Sequence, residues 1–211
     1  MPEVQARLEN SAVRIDEHPG VLAGIDDPGV LLAVWRRRDA SARAPDLVAR
    51  HTGAGRALID VSCRESAPLW RWPTTLAADP GVQAASAEVV ETFRRLGRAR
   101  GLIQLSVRIE AIESRVCRRF HVDHVGLRLL CTLYGAGTEW LPEAAADRTQ
   151  LGVGGGEVLR DPAAVQTLNA GDIAILKGHC HRADPGLGLI HRSPDASAAQ
   201  PRLLVAADLP A

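Results

Sequence analysis

The sequence predicts an α+β domain: a helical N-terminal layer, residues 1–100, packed on a C-terminal β-barrel, residues 101–211. Three observations predict it. Before Gly101 the apolar residues recur at helical spacing behind helix-start signals; after it they alternate with period two. About seven short strand-like stretches then follow, separated by turn residues, which is the pattern of a sandwich or barrel. The 211 residues are one domain's length. A chain of this size buries about 70% of its unfolded surface and needs no disulfide staples.

The elements follow in order. Asp26-Asp27-Pro28 reads as an acidic N-cap with proline in the first turn, ahead of Val30, Leu31, Val34 and Trp35 at helical spacing. Arg36, Arg37 and Arg38 stand where cations favour a helix C-terminus. Ser66–Thr75 is a connecting loop whose Trp70 and Trp72 either wall a pocket or simply pack. Asp79-Pro80 starts a second helix carrying Val82, Ala85, Val89, Val90, Phe93 and Leu96, which Gly97 and Gly101 can end. Ile103, Leu105, Val107, Ile109 and Ala111 then alternate with polar residues as a half-buried strand. Val116, Phe120 and Val122 repeat the alternation. Further strands are expected at Val125–Tyr134, Val165–Leu168, Asp172–Lys177, Gly188–His191 and Arg202–Ala207, with turns at Gly135-Ala136-Gly137, Asn169-Ala170-Gly171, Asp184-Pro185-Gly186 and Ser193-Pro194-Asp195.

Composition narrows the function. Basic and acidic residues balance at 25 each, so no global field draws the chain to nucleic acid or anionic lipid. Lys177 is the single lysine, which codon bias in a GC-rich genome accounts for. Cys63, Cys117, Cys131 and Cys180 form neither a CxxC pair nor a regular framework, as expected of reduced thiols. With no signal peptide at the N-terminus and no apolar run of about 18 residues, a cytoplasmic protein without a membrane span is expected.

The chemistry concentrates in the β half. In a strand, His121 and Asp123 of His121-Val122-Asp123 point the same way and present two metal ligands together. With seven histidines and fourteen aspartates, chance alone supplies about half of one His-x-Asp pair, so the pair needs support. His191, 70 positions on, ends another apolar stretch. Two histidines and a carboxylate on facing strands make the facial triad of non-haem Fe(II) oxygenases, which leaves three coordination positions open. Arg202 opens a strand that is apolar on both parities, and a buried arginine stays charged and needs an anion. That anion is either the distal carboxylate of a keto acid or an internal salt-bridge partner. Arg128, Thr132 and Tyr134 share one strand parity, which either faces the barrel mouth as a cosubstrate or acidic-substrate surface or is the wetter side of the sheet.

The order His121-x-Asp123, Gly171-Asp172 before an apolar strand, His191, then Arg202 resembles the double-stranded β-helix (jelly-roll, cupin-like) core of Fe(II)/2-oxoglutarate dioxygenases over residues 101–209. The prolyl-hydroxylase-like and AlkB-like branches are nearest in style. The resemblance implies His121, Asp123 and His191 as iron ligands, Arg202 as the 2-oxoglutarate anchor, and Tyr134 beside it. Arg128-Leu129-Leu130, Gly137-Thr138-Glu139-Trp140-Leu141-Pro142, Ile175-Leu176-Lys177-Gly178 and His191-Arg192-Ser193-Pro194 also look like a bacterial family that carries only a domain-of-unknown-function label. Two residues depart from the dioxygenase pattern: Arg192 competes with Arg202 as anion partner, and His124 directly follows the ligand pair. A non-catalytic barrel holding zinc through the same three ligands, in metal homeostasis or sensing, is the alternative, since zinc outcompetes iron by intrinsic affinity.

The remaining motifs carry less. His179-Cys180-His181 lacks zinc-site spacing and is either a solvated loop, a second soft-ligand site or a lid. Gly152-Val153-Gly154-Gly155-Gly156 has no Lys-Ser/Thr after it and is no phosphate loop. Trp70, Trp72 and Trp140 are candidates to frame a small-molecule or peptide substrate, and no basic groove with interleaved aromatics points to nucleic acid.

Overall fold

Two sheets carry the fold of this computed structural model, which describes residues 12–37, 55–64, 80–114, 116–153 and 156–210. The strands are β1 (Val13–Asp16), β2 (Leu32–Trp35), β3 (Gly55–Ser62), β4 (Gln104–Ile112), β5 (Leu127–Tyr134), β6 (Glu139–Trp140), β7 (Gln166–Thr167), β8 (Ile173–Lys177), β9 (His191–Arg192) and β10 (Arg202–Leu209). Seven form one sheet in the order β1-β2-β8-β5-β10-β4-β3, and three form a second in the order β7-β6-β9. One α-helix, α1 (Pro80–Ala99), and short 3-10 segments complete the described part. Among the described strands only β1 and β2 pair in parallel.

The large sheet is covered on both faces over β2, β8 and β5, so these strands lack simple alternation. On one face Leu129 and Cys131 of β5, Val205 and Ala207 of β10 and Ile173 of β8 pack against Val89, Val90 and Phe93 of α1 and Leu22 and Ile25 of the 19–26 segment. On the other, Leu130, Ala206, Ala174 and Leu176 pack with Trp140, Leu168 and Leu189 from the small sheet and its flanks. A third cluster, Phe120, Leu141, Ala146, Val158 and Ile190, lies around the small sheet's far side. The small sheet leaves the same face of β10, β4 and β3 uncovered, and there the large cavity opens.

Among the described residues the expected helical N-terminal layer is not found. They are mostly sheet with few helices, and no hydrogen bonding among them joins the two sheets into a closed barrel. The helix expected after Asp26-Asp27-Pro28 is strand β2: a 3-10 segment (Pro19–Asp26) ends there, and Gly29 turns the chain at φ 80°. Its apolar residues are buried consecutively because Ala33 packs on the helix side and Leu32 and Val34 on the other. A doubly buried strand and one helical face give the same short apolar run. The second expected helix is present as α1. The expected strand through Val116 and Val122 is absent apart from one bridge at His121. Trp70 and Trp72 lie outside the described residues. Trp140 is buried in the core and does not frame the cavity. No helix among the described residues is long and apolar enough to cross a membrane.

The lone lysine has a structural place. Lys177, at the end of β8, is 0% exposed, and its Nζ donates to Asp184 Oδ2 at 2.6 Å and to the Asp27 carbonyl at 2.9 Å. Asp184 Oδ1 also accepts from the Gly29 N–H at 3.2 Å. The pair staples the turn before β2 to the loop that leads to β9.

Candidate metal centre

Backbone pairing brings the two distant histidines together. His121 N–H donates to the His191 carbonyl at 3.0 Å, and His191 N–H to the His121 carbonyl at 2.9 Å. In such a directly opposed antiparallel pair the side chains leave the same side, and the ring centroids stand 4.6 Å apart. His191 is further fixed by its pairing with Trp140 of β6. Asp123 follows two residues after His121 in irregular chain, so the His-x-Asp geometry does not come from strand alternation here. Its segment is held instead by the following loop: His179 N–H donates to the Asp123 carbonyl at 2.8 Å and Cys180 N–H to the Val125 carbonyl at 3.1 Å. One ligand atom each from His121, Asp123 and His191 lies within 4.8 Å of the others, and this is the one such group among the described residues.

The chemistry of the donors fits a cation. Each ring uses Nδ1 as a donor, His121 to the Arg119 carbonyl at 2.9 Å and His191 to the Leu189 carbonyl at 3.0 Å. A neutral imidazole with a proton on Nδ1 offers a lone pair at Nε2. Both Nε2 atoms face Asp123, at 3.6 Å from Oδ1 (His121) and 3.1 Å from Oδ2 (His191). Oδ2 is buried and has no hydrogen-bond partner. Three lone pairs thus converge in a largely buried place, an arrangement that protons or a metal ion relieve. In the protonated form the imidazoles donate to Asp123. Burial pushes that carboxyl upward, but hydrogen bonds from His121 and His191 and the charges of His191 and Arg128 outweigh it and hold the group well below the usual carboxylate range. The hydrogen bond with Asp123 in turn raises His121.

A cavity of about 500 Å³ opens from the two histidines. Arg202, 3% exposed, lines it. Its Nη2 donates to Thr132 Oγ1 at 2.9 Å and Thr138 Oγ1 at 2.6 Å, and it forms no ion pair with any described carboxylate. Burial pushes its pKa down to about 10, so the guanidinium is still a cation at neutral pH. Thr132 reaches the cavity only through Arg202. Arg192 is occupied by Glu139 and lies 4.2 Å over the Phe120 ring, so its competing role as anion partner is already filled within the chain. His124 is not one of the clustered ligands; its ring stacks on His179 at 5.6 Å.

Two expected cosubstrate residues are engaged otherwise, one of them outside the cavity. Tyr134 packs against the helix-side core and does not line the cavity. A β-bulge between Leu203 and Leu204 puts one extra β5 residue in the ladder, so Leu133 and Tyr134 both turn to the core. Arg128 does line the cavity, but it is engaged by two carboxylates: Nε donates to Asp208 Oδ1 at 2.7 Å and Nη2 to Asp208 Oδ2 at 3.0 Å, and Nη1 stands in an ion pair with Asp123 Oδ1 at 2.6 Å. Asp208 and the hydroxyl of Thr138 are site residues that sequence reasoning misses. The signal for Asp208 is its register opposite Arg128, which no single strand shows.

A family model described as Protein of unknown function (DUF1826) matches residues 16–208. The chain belongs to the DUF1826 family. No curated protein matches it. Among solved structures, the DUF1826 chain is similar to a Pseudomonas putida prolyl-4-hydroxylase at 11% identity and TM-score 0.44, covering 92% of this chain and 98% of that one. It is similar to a full-length Neurospora crassa protein in complex with alpha-KG and thymine at 11% identity and TM-score 0.46, covering 98% and 81%. It is also similar to an oxidoreductase of the 2OG-Fe(II) oxygenase family from Burkholderia pseudomallei at 12% identity and TM-score 0.45, covering 92% and 91%. The likeness is loose, and the reading of the DUF1826 site rests on its own side chains.

One glycine supports this site directly. A Cβ on Gly178 would stand 2.2 Å from the Val125 carbonyl oxygen and 2.8 Å from that of Asp123, and backbone atoms cannot rotate aside. Gly178→Ala is expected to destabilise the DUF1826 protein by about 1–3 kcal/mol, lowering the melting temperature by roughly 3–10 °C. Because the displaced segment carries Asp123, metal affinity should fall with it. Thermal melts with and without added divalent ion check both; an unchanged melt contradicts the tight packing.

Proposed function

We propose that this protein is a non-haem Fe(II)/2-oxoglutarate-dependent oxygenase acting on a small molecule or peptide. One observation carries the reading: a largely buried convergence of two imidazole Nε2 atoms and a carboxylate oxygen shares a cavity with a buried guanidinium that makes no direct ion pair with a described carboxylate, Glu110 acting on it only at longer range. His121, Asp123 and His191 would hold the iron. Two nitrogens and one oxygen with open positions suit Fe(II), whereas structural zinc sites close at four protein ligands.

When bound, iron with 2-oxoglutarate and O₂ supplies an oxidant for C–H bonds, and the keto acid leaves as succinate and CO₂. The chain's own part is binding and orientation. Arg202, whose guanidinium is already out of water, takes the distal carboxylate of the keto acid in a charge-assisted pair. Thr132 and Thr138 hold that guanidinium by their hydroxyls. Leu130, Leu204 and Ala206 line the cavity with apolar surface and limit water. The carbonyls of Arg119 and Leu189 fix each imidazole's tautomer and ring orientation.

The test is an anaerobic titration of the iron-loaded protein with 2-oxoglutarate, followed by air. The expected result is a new visible absorption on addition of the keto acid and succinate release on oxygenation. A protein that keeps zinc in preference to iron, and whose iron-loaded form shows no spectral change with 2-oxoglutarate, would instead be a non-catalytic metal-binding protein.

A further inference from the structure

Arg128 has the geometry of a brace on the metal-binding carboxylate. Its guanidinium takes Asp208 in a two-point fork, Nε to Oδ1 at 2.7 Å and Nη2 to Oδ2 at 3.0 Å, and extends Nη1 to Asp123 Oδ1 at 2.6 Å. The fork is rigid because Arg128 and Asp208 stand directly opposite each other in the β5–β10 ladder. The two oxygens of Asp123 therefore differ. Oδ1 is engaged by a cation; Oδ2 has no hydrogen bond and faces His191 Nε2 at 3.1 Å.

We propose that Arg128, locked by Asp208, is a positioning residue that holds Asp123 to one-oxygen ligation and so keeps a coordination position open at the metal. This rests on the metal reading above. A free carboxylate beside a divalent ion can bind through both oxygens, and iron and manganese accept that mode. Chelation by Asp123 would reduce three open positions to two. A keto acid that chelates the ion fills two, so the third is the one left for O₂. Arg128 pre-empts the loss by occupying Oδ1. Arg108 adds a second cation beside the lock, its Nη2 standing 3.7 Å from Asp208 Oδ2.

The experiment counts exchangeable water on the metal. Mn(II) is titrated into the full chain, and water-proton relaxation is measured per bound ion. Arg128→Met, which removes the donors while keeping length, should retain Mn(II) within about tenfold of wild-type affinity, yet relaxation per bound ion should fall by about a third as three positions become two. Arg128→Lys, which restores one cationic donor, should recover part of the signal. Asp208→Asn, which loosens the fork without touching Asp123, should lower it less than Arg128→Met. A general loss of structure would lower binding and melting temperature without changing relaxation per ion. Equal relaxation per ion in wild type, Arg128→Met and Asp208→Asn overturns the proposal and leaves the metal centre standing. A wild-type chain that binds no Mn(II) or Fe(II) overturns the metal centre itself, and this role with it.

Discussion

Alanine in place of His191 is expected to abolish metal retention. Residues around a ligand shell cost about 10–100-fold in affinity when removed, so deleting one of only three protein ligands should cost more than about 100-fold. The fold should survive, because the residue's place in the chain is set by backbone: its N–H and carbonyl pair with His121 whatever the side chain. The variant should thus melt cooperatively while holding no ion. Elemental analysis after dialysis against a weak chelator should find about one ion per wild-type chain and a trace in the variant. Added Fe(II) or Mn(II) should raise the wild-type melting temperature by mass action and leave the variant's unmoved. Equal metal content in the two proteins would contradict the three-ligand centre.

Arg202→Met should separate binding from stability, in opposite directions. Burial holds the folded-state pKa of Arg202 near 10, below the ordinary 12.5. A cationic group depressed in this way costs stability wherever it is charged in the folded state, which includes neutral pH; the cost would lift only as pH rises through about 10 toward 12.5. Methionine of similar length removes the cost, so stability at pH 7 should be unchanged or higher, by up to about 3 kcal/mol. The freed hydroxyls of Thr132 and Thr138 can reorient. Affinity for 2-oxoglutarate should fall about 100-fold, the worth of two charge-assisted hydrogen bonds, with metal affinity intact. Calorimetric titration with the keto acid and a denaturant melt test the two halves. A strongly destabilised variant would mean that Arg202 is a structural group satisfied within the chain.

The cluster is legible in the sequence because it depends on few things: a His-x-Asp pair that chance could almost supply, supported by a second histidine at a strand end and an arginine in an otherwise apolar strand. Strand alternation is nevertheless not what creates it. His121 and Asp123 are not neighbours on one strand face; a backbone bridge to His191 and a loop around Gly178 place them. Tyr134 misleads because alternation counts residues, and the bulge at Leu203/Leu204 adds one that no pattern in β5 betrays. For Arg128 the sequence points to the cavity but not to the two carboxylates that Arg128 pairs with there. Its roles toward Asp123 and Asp208 are set by register between strands 80 positions apart. The N-terminal helix fails for a different reason: the apolar run from Val30 to Trp35 is too short for period to decide between a helix and a strand buried on both sides. Where period has twenty residues to act over, in α1, it is correct.

Lys177 has a practical consequence. The sequence contains one lysine, and the fold shields its ammonium completely. Acylating reagents aimed at amines therefore meet no lysine side chain on the folded surface, whereas the chain's many arginines ignore them. Acylation at Lys177 can proceed only when the region around β8 opens. Its rate, followed by mass spectrometry at a single residue, reads the frequency of that opening without any engineered label.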